Sequence, residues 1–252
     1  MTPTAPDSTK NWLRAIRQDW DARARQDARA YINWPDVPNE EGAFFESGRF
    51  DYKRYVVPFL RKMQFDPQGK TALEIGCGIG RIGRWMSQDF SQYIGVDVSP
   101  EMVDRARGYG FPRARFEAVS GGDLAGIDDG RVDFVFSFAV FQHVPDEGAI
   151  FSYFAETARV LRPGGVFRLH MKGLRPWAVG RWQIEAGFSN NRRLVNAGFT
   201  KVPMMRVRYL DTWQGRSIPP GKAIAKCTSL SLEVLDVEGA WTTMMWVGGR
   251  KK

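Results

Sequence analysis

Ala72-Leu-Glu-Ile-Gly-Cys-Gly-Ile-Gly-Arg81 is a short apolar run that ends in a cluster of glycines and leads into an amphipathic segment. Ala72 to Ile75 has the length and character of a buried strand, and residues 81–90 read as a helix. Between them Gly76, Gly78 and Gly80 let the chain turn sharply and bring bare backbone against a ligand at a helix start. The register Gly78-Ile-Gly80-Arg-Ile-Gly83 also satisfies G-x-G-x-x-G, the dinucleotide pattern, and Asp97 lies where a ribose-binding acid is expected. Two details count against a dinucleotide. The glycine that directly follows the strand is Gly76, and counting from it puts Arg81 where the third glycine belongs. Glu74, inside the strand, sets a carboxylate beside the turn that would repel a pyrophosphate.

Outward from this turn, strands and helices alternate. Residues 93–96, 115–119, 133–138 and 166–171 read as further strands, with helices over 100–108 and 147–161 between them. Ser99 is placed to cap the first of those helices, with Pro100 at its first position. Arg162-Pro163-Gly164-Gly165 reads as the stop of the second. Such alternation predicts an α/β fold, a doubly wound, mostly parallel sheet of seven strands with helices on both faces. Ligands then bind at the carboxyl ends of the strands, where the strand order reverses. After Gly173 the rhythm loosens. Residues 230–237 and 241–248 read as a C-terminal antiparallel hairpin. The domain expected is 66–252, with 173–222, rich in Trp177, Trp182 and Trp213, as a lid or substrate wall.

The N-terminal 65 residues read as a disordered lead-in followed by a helical cap. Trp12, Ile16, Trp20, Ala24 and Ala28 recur at helical spacing, closed by Tyr31 and Ile32 before Pro35. A second helix is expected over 50–63, kinked by Pro58. The aromatics Trp12, Trp20, Tyr31, Phe44 and Phe45 are expected to cover the site.

Composition narrows the class. No run approaches the roughly 18 to 20 apolar residues of a membrane span. Cys77 and Cys227 make no disulfide framework, so a reducing cytoplasm is the default compartment. The net charge of +8 (36 Lys+Arg against 28 Asp+Glu) would suit nucleic acid, but the basic residues are dispersed and interleaved with acids.

Three blocks, Leu73-Glu-Ile-Gly-Cys-Gly-Ile-Gly80, Gly95-Val-Asp-Val-Ser-Pro-Glu-Met102 and Arg159-Val-Leu-Arg-Pro-Gly-Gly165, resemble the motifs of class I S-adenosylmethionine-dependent methyltransferases, in the right order over residues 70–171. The resemblance implies a Rossmann-like domain that binds S-adenosyl-L-methionine. Gly76 and Gly78 would pass beneath the methionine part, and Glu74 would face its cationic groups. Arg81 or Arg49 would meet its carboxylate. Asp97 would hold both ribose hydroxyls, with Val98 and Met102 flanking the adenine and Phe138 contributing backbone. Asp123 would take the adenine amine, with Asp128 as the alternative, and Leu124 would cover the ring.

Methyl transfer from a sulfonium is an in-line displacement, and a base is needed only when the acceptor carries a proton. The two histidines, His143 and His170, both fall near carboxyl ends of predicted strands and are the candidate bases. No metal is expected. The reading that follows is transfer to an O or N atom of a small molecule, in specialised metabolism. An RNA or protein methyltransferase, or an adenosylmethionine-binding protein without catalysis, are the alternatives.

Overall fold

The computed structural model describes residues 8–33, 36–173 and 215–252. Helix α1 (Ser8–Ile32) is broken at Asp27, where extended backbone (φ −167°, ψ 89°) interrupts the helix and the carboxylate accepts from the Ala30 amide at 3.1 Å, restarting it. Next come α2 (Glu41–Asp51), a π-helical turn (Tyr52–Val56) and α3 (Val57–Lys62). The wide turn stands just ahead of Pro58. A proline has no amide to donate and its ring crowds the carbonyl one turn back, so the helix loosens there instead of continuing. The expected kink is therefore a widened turn, and the helix begins earlier than the sequence pattern suggested.

The α/β body follows as β1 (Thr71–Ile75), α4 (Gly83–Asp89), β2 (Gln92–Asp97), α5 (Pro100–Gly108), β3 (Ala114–Ala118), β4 (Val132–Ser137), α6 (Glu147–Val160) and β5 (Leu161–Gly173). The chain ends with β6 (Ser217–Ile218), α7 (Pro220–Ser229), β7 (Leu232–Glu238) and β8 (Met245–Lys251). Strands are ordered β3-β2-β1-β4-β5-β8-β7, and β6 adds a short parallel pairing to the end of β5. The first five pair in parallel, and β8 is antiparallel to both neighbours. The doubly wound sheet of seven strands with a C-terminal hairpin is as expected. Helix α7 was missed. Helix α6 ends at Val160, just before the expected stop, and residues 162–165 belong to β5, at a register shift where pairing with β4 jumps from Val132↔Leu161 to Phe134↔Val166.

Period-two alternation distributes the strands' side chains between two cores. Leu73, Ile75, Val96, Val135 and Phe167 pack with Phe154 of α6 and Ala223 of α7. Ala72, Tyr93, Phe134 and Phe136 pack with Phe59 of α3, Met86 of α4 and Val103 of α5. A third cluster joins Ala24 and Ala28 of α1 to Phe44, Phe45, Ile79 and Met102, and clamps the N-terminal helices over the sheet's carboxyl edge. The lead-in before Ser8 and almost all of the 173–222 insertion, including Trp177, Trp182 and Trp213, lie outside the described residues. So does the Trp12 side chain.

Candidate active site

The crevice lies at the carboxyl ends of β1 and β4, where the strand order reverses. Leaving β1, the Gly76 and Cys77 amides both donate to the Val96 carbonyl, at 2.7 and 3.0 Å. Gly76 (φ +74°) and Gly78 (φ +53°) then take the left-handed conformation, which glycine adopts without strain. There is no room for a side chain at either. A Cβ on Gly76 would lie 2.1 Å from Val140 Cγ2, and one on Gly78 would lie 2.6 Å from Ile32 Cδ1.

Asp97, the last residue of β2, is aimed by its neighbours. One carboxylate oxygen accepts from the Gly78 amide and the other from the Ser99 amide, each at 2.9 Å. Burial pushes its acidity constant up, and the backbone donors of Ser99, Gly78 and Val98 oppose that shift. Each oxygen keeps accepting capacity on the cavity side. Glu74 also lines the cavity and is 4% exposed, with Tyr93 Oη donating to it at 2.5 Å. Burial raises its pKa to about 7, against the Tyr93 hydrogen bond and the Arg81 charge.

The cavity joins these groups to Arg81, Val98, Met102, Phe138 and His143. Its roof is α1, which contributes Leu13, Ile16, Trp20, Tyr31 and Ile32. Of the aromatics expected to cover the site, Trp20 and Tyr31 do line it. Phe44 and Phe45 lie instead in the cluster behind, where they support the cap. A contact with no local sequence signal holds the roof down: Asp21 of α1 accepts from Ser99 Oγ at 2.5 Å and from the Glu101 amide at 3.3 Å.

Several expected residues take other roles. Arg81 reaches the cavity, but its guanidinium is engaged by Asp51 at 2.7 Å and by Ser47 Oγ at 3.1 Å, which does not favour it as a carboxylate clamp. Arg49 pairs with Glu46 at 3.2 Å and lies outside the cavity lining. Asp123 is exposed and turned into its own loop, and Leu124 is fully buried in the sheet core, so neither lines the cavity. Asp128 is exposed too.

The histidines separate clearly. His143 lines the cavity, with its Nε2 at 3.1 Å from the Gln142 amide nitrogen and its ring edge-on to Trp20 at 5.6 Å. His170 is fully buried behind the site, between Phe138 and Trp246, and is absent from the lining. Its Nδ1 accepts from the Ala139 amide at 3.1 Å, and burial drives its pKa down to about 4. The bond braces Ala139, whose φ of +59° is unusual for a residue with a side chain and which aims Phe138 and Val140 at the cavity. That placement fits a support and not a base.

Residues 73–169, which run from within β1 through most of β5 and hold the three motif blocks, match the family model described as a methyltransferase domain. The chain carries a class I methyltransferase domain. The 2-methyl-6-phytyl-1,4-hydroquinone methyltransferase of Synechocystis is 32% identical over 184 residues, 71% of this chain and 50% of that protein. A ubiquinone biosynthesis O-methyltransferase of Xanthomonas oryzae is 33% identical over 105 residues, 40% of this chain and 43% of that one. This methyltransferase-domain chain thus spans half or less of the length of those relatives. Its fold is shared with the magnesium protoporphyrin IX methyltransferase of Synechocystis, with a TM-score of 0.63 at 13% identity over 95% of this chain and 99% of that one. It is shared too with the geranyl diphosphate C-methyltransferase of Streptomyces coelicolor, with a TM-score of 0.57 at 14% identity over the whole of both chains. Among the described residues, no group of three or more metal-binding side chains occurs and no helix is long and apolar enough to cross a membrane.

Proposed function

We propose that the chain is an S-adenosyl-L-methionine-dependent methyltransferase acting on an O or N atom of a small molecule. The observation that carries this reading is the pairing of Glu74 and Asp97 on either side of a glycine turn in which a Cβ at Gly76 or Gly78 would collide with Val140 or Ile32. Asp97 would accept from the ribose hydroxyls, Glu74 would face the cationic end, and Val98 and Met102 would flank the base. Bound there, the cofactor supplies an electrophilic methyl group on a sulfonium. The acceptor side is lined by Trp20, Phe138, Val140, Gln142 and His143, an apolar and aromatic wall with few polar groups. His143 would take the proton of an acceptor hydroxyl or amine.

The hydroquinone named in one relative and the ubiquinone biosynthesis named in the other favour a phenolic acceptor. Incubation with methyl-labelled cofactor and a panel of hydroquinones and catechols should put label into the small-molecule fraction. Label found only in added RNA or protein would replace this reading with the alternative that the +8 charge suggests. The buried, unpaired Cys77 and Cys227 are the basis for proposing a reducing, cytoplasmic setting.

Glu74 makes cofactor binding pH-dependent. Burial leaves its carboxyl protonated below about pH 7, whereas a cationic ligand favours the carboxylate. Binding therefore releases a proton, and affinity should fall as pH drops through about 7. Calorimetry in two buffers of different ionisation enthalpy reads the release directly. In Glu74→Gln the release should vanish; an unchanged release would mean that another group titrates.

A further inference from the structure

With Asp123 and Leu124 removed from the cavity, the end beyond Asp97 and Val98 lacks the polar partner expected of the loop after β3. Asp123 caps its own turn, accepting from Ser120 Oγ at 2.9 Å and from the Ala125 amide at 3.3 Å. Gly121 is drawn in as bare backbone: at its φ of +100° a Cβ would lie 2.9 Å from Leu13 and 3.2 Å from Val98. The side chain that closes this end is Tyr153 of α6, only 3% exposed, which lines the cavity together with Asp97, Val98, Val119 and Gly121.

The helix is stitched to the loop on both sides of that tyrosine. Ser152 Oγ donates to the Gly122 carbonyl at 2.6 Å, and Glu156 accepts from the Leu124 amide at 2.7 Å. Phe141 packs on the Tyr153 ring at 5.6 Å, so the phenol is held in place before any ligand arrives. Among the described residues its hydroxyl has no hydrogen-bond partner. A hydroxyl on a cavity wall with no protein partner is completed by what enters the cavity. Burial first, and then the nearby carboxylates Asp97, Asp123 and Glu156, push its ionisation up and keep it a neutral phenol. That negative surrounding disfavours phosphate and favours an N–H donor.

We propose that the Tyr153 hydroxyl accepts a hydrogen bond from the exocyclic amine of the cofactor's purine, the part that the motif resemblance assigns to Asp123. The assignment rests on the adenosylmethionine reading of the site. Its test compares S-adenosylhomocysteine with its 6-deamino analogue, in which that amine is replaced by hydrogen so that the phenol can neither accept from nor donate to the position, by calorimetry on the parent, Tyr153→Phe and Asp123→Ala.

The parent should prefer the adenosyl ligand by about tenfold, the worth of one hydrogen bond into a buried site. Tyr153→Phe should weaken the adenosyl ligand by about that factor and erase the preference, with the thermal midpoint of the unliganded protein unchanged, since the hydroxyl has no protein partner to lose. Asp123→Ala should keep both affinity and preference. A parent without preference, or a Phe variant that retains it, overturns the assignment and leaves the site reading standing. A parent that binds neither ligand overturns the site reading and this assignment with it.

Discussion

Asp97→Ala should weaken adenosylmethionine binding by about 2 to 4 kcal/mol, which moves a ligand of about 1 μM affinity to between tens of micromolar and about 1 mM. The size comes from two sources. A carboxylate positioned to accept from two ribose hydroxyls is lost, and so is the acceptor that holds the Gly78 and Ser99 amides, each at 2.9 Å. Without it the glycine turn and the start of α5 lose their common anchor. Asp97→Asn should recover little, because the amide's nitrogen must face one of two backbone donors. Calorimetric titration checks this against the parent. An Ala variant that binds as tightly would show that the ribose lies elsewhere in the cavity.

Asp51→Ala should destabilise the folded protein by about 3 to 5 kcal/mol, the expected result of stranding a buried guanidinium. Arg81 is 5% exposed and Asp51 is 1% exposed, and they meet at 2.7 Å under the glycine turn. The helix that carries Asp51 is packed tightly on this segment: a Cβ on Gly48 would already lie 2.0 Å from the Arg81 carbonyl oxygen. Replacing both charges, as in Asp51→Ala with Arg81→Leu, should recover much of the loss, since it removes the unpaired charge together with its partner. Urea unfolding reads all three proteins. A double variant no better than Asp51→Ala would mean that packing, and not the stranded charge, sets the cost.

These two sites differ in how far the linear chain reveals them. Asp97 was legible because everything that makes it a ligand group is local: a strand that ends on it, a glycine turn whose Gly78 amide comes back to it, and a Ser-Pro helix start behind it. The Asp51 pairing was not legible. It joins two segments 30 residues apart through a widened helical turn that Pro58 imposes, and no periodicity reports which acid meets which base across such a distance. The same holds for Asp21, one acid among several in an Arg-rich helix until α1 lies across Ser99. His143 and His170 both fall near strand ends in the sequence. The 3₁₀ turn Phe141–His143 carries the first to the cavity, while pairing of β5 with β8 buries the second against Trp246.

From residue order alone came the alternation of strands and helices, the glycine turn, Glu74 and Asp97 at its edges, and the helix start at Ser99. Each of these rests on interactions within a few residues, or on an apolar pattern that must be buried somewhere. The tertiary structure alone decided that α1 roofs the crevice, that Arg81 is held by Asp51, and that Tyr153 rather than Asp123 closes the far end of the cavity. A short acid in a glycine-rich loop is easily satisfied by its own Ser120 hydroxyl and Ala125 amide and turns to solvent. A phenol on a helix clamped to that loop at Gly122 and Leu124 has no such local option and faces the cavity.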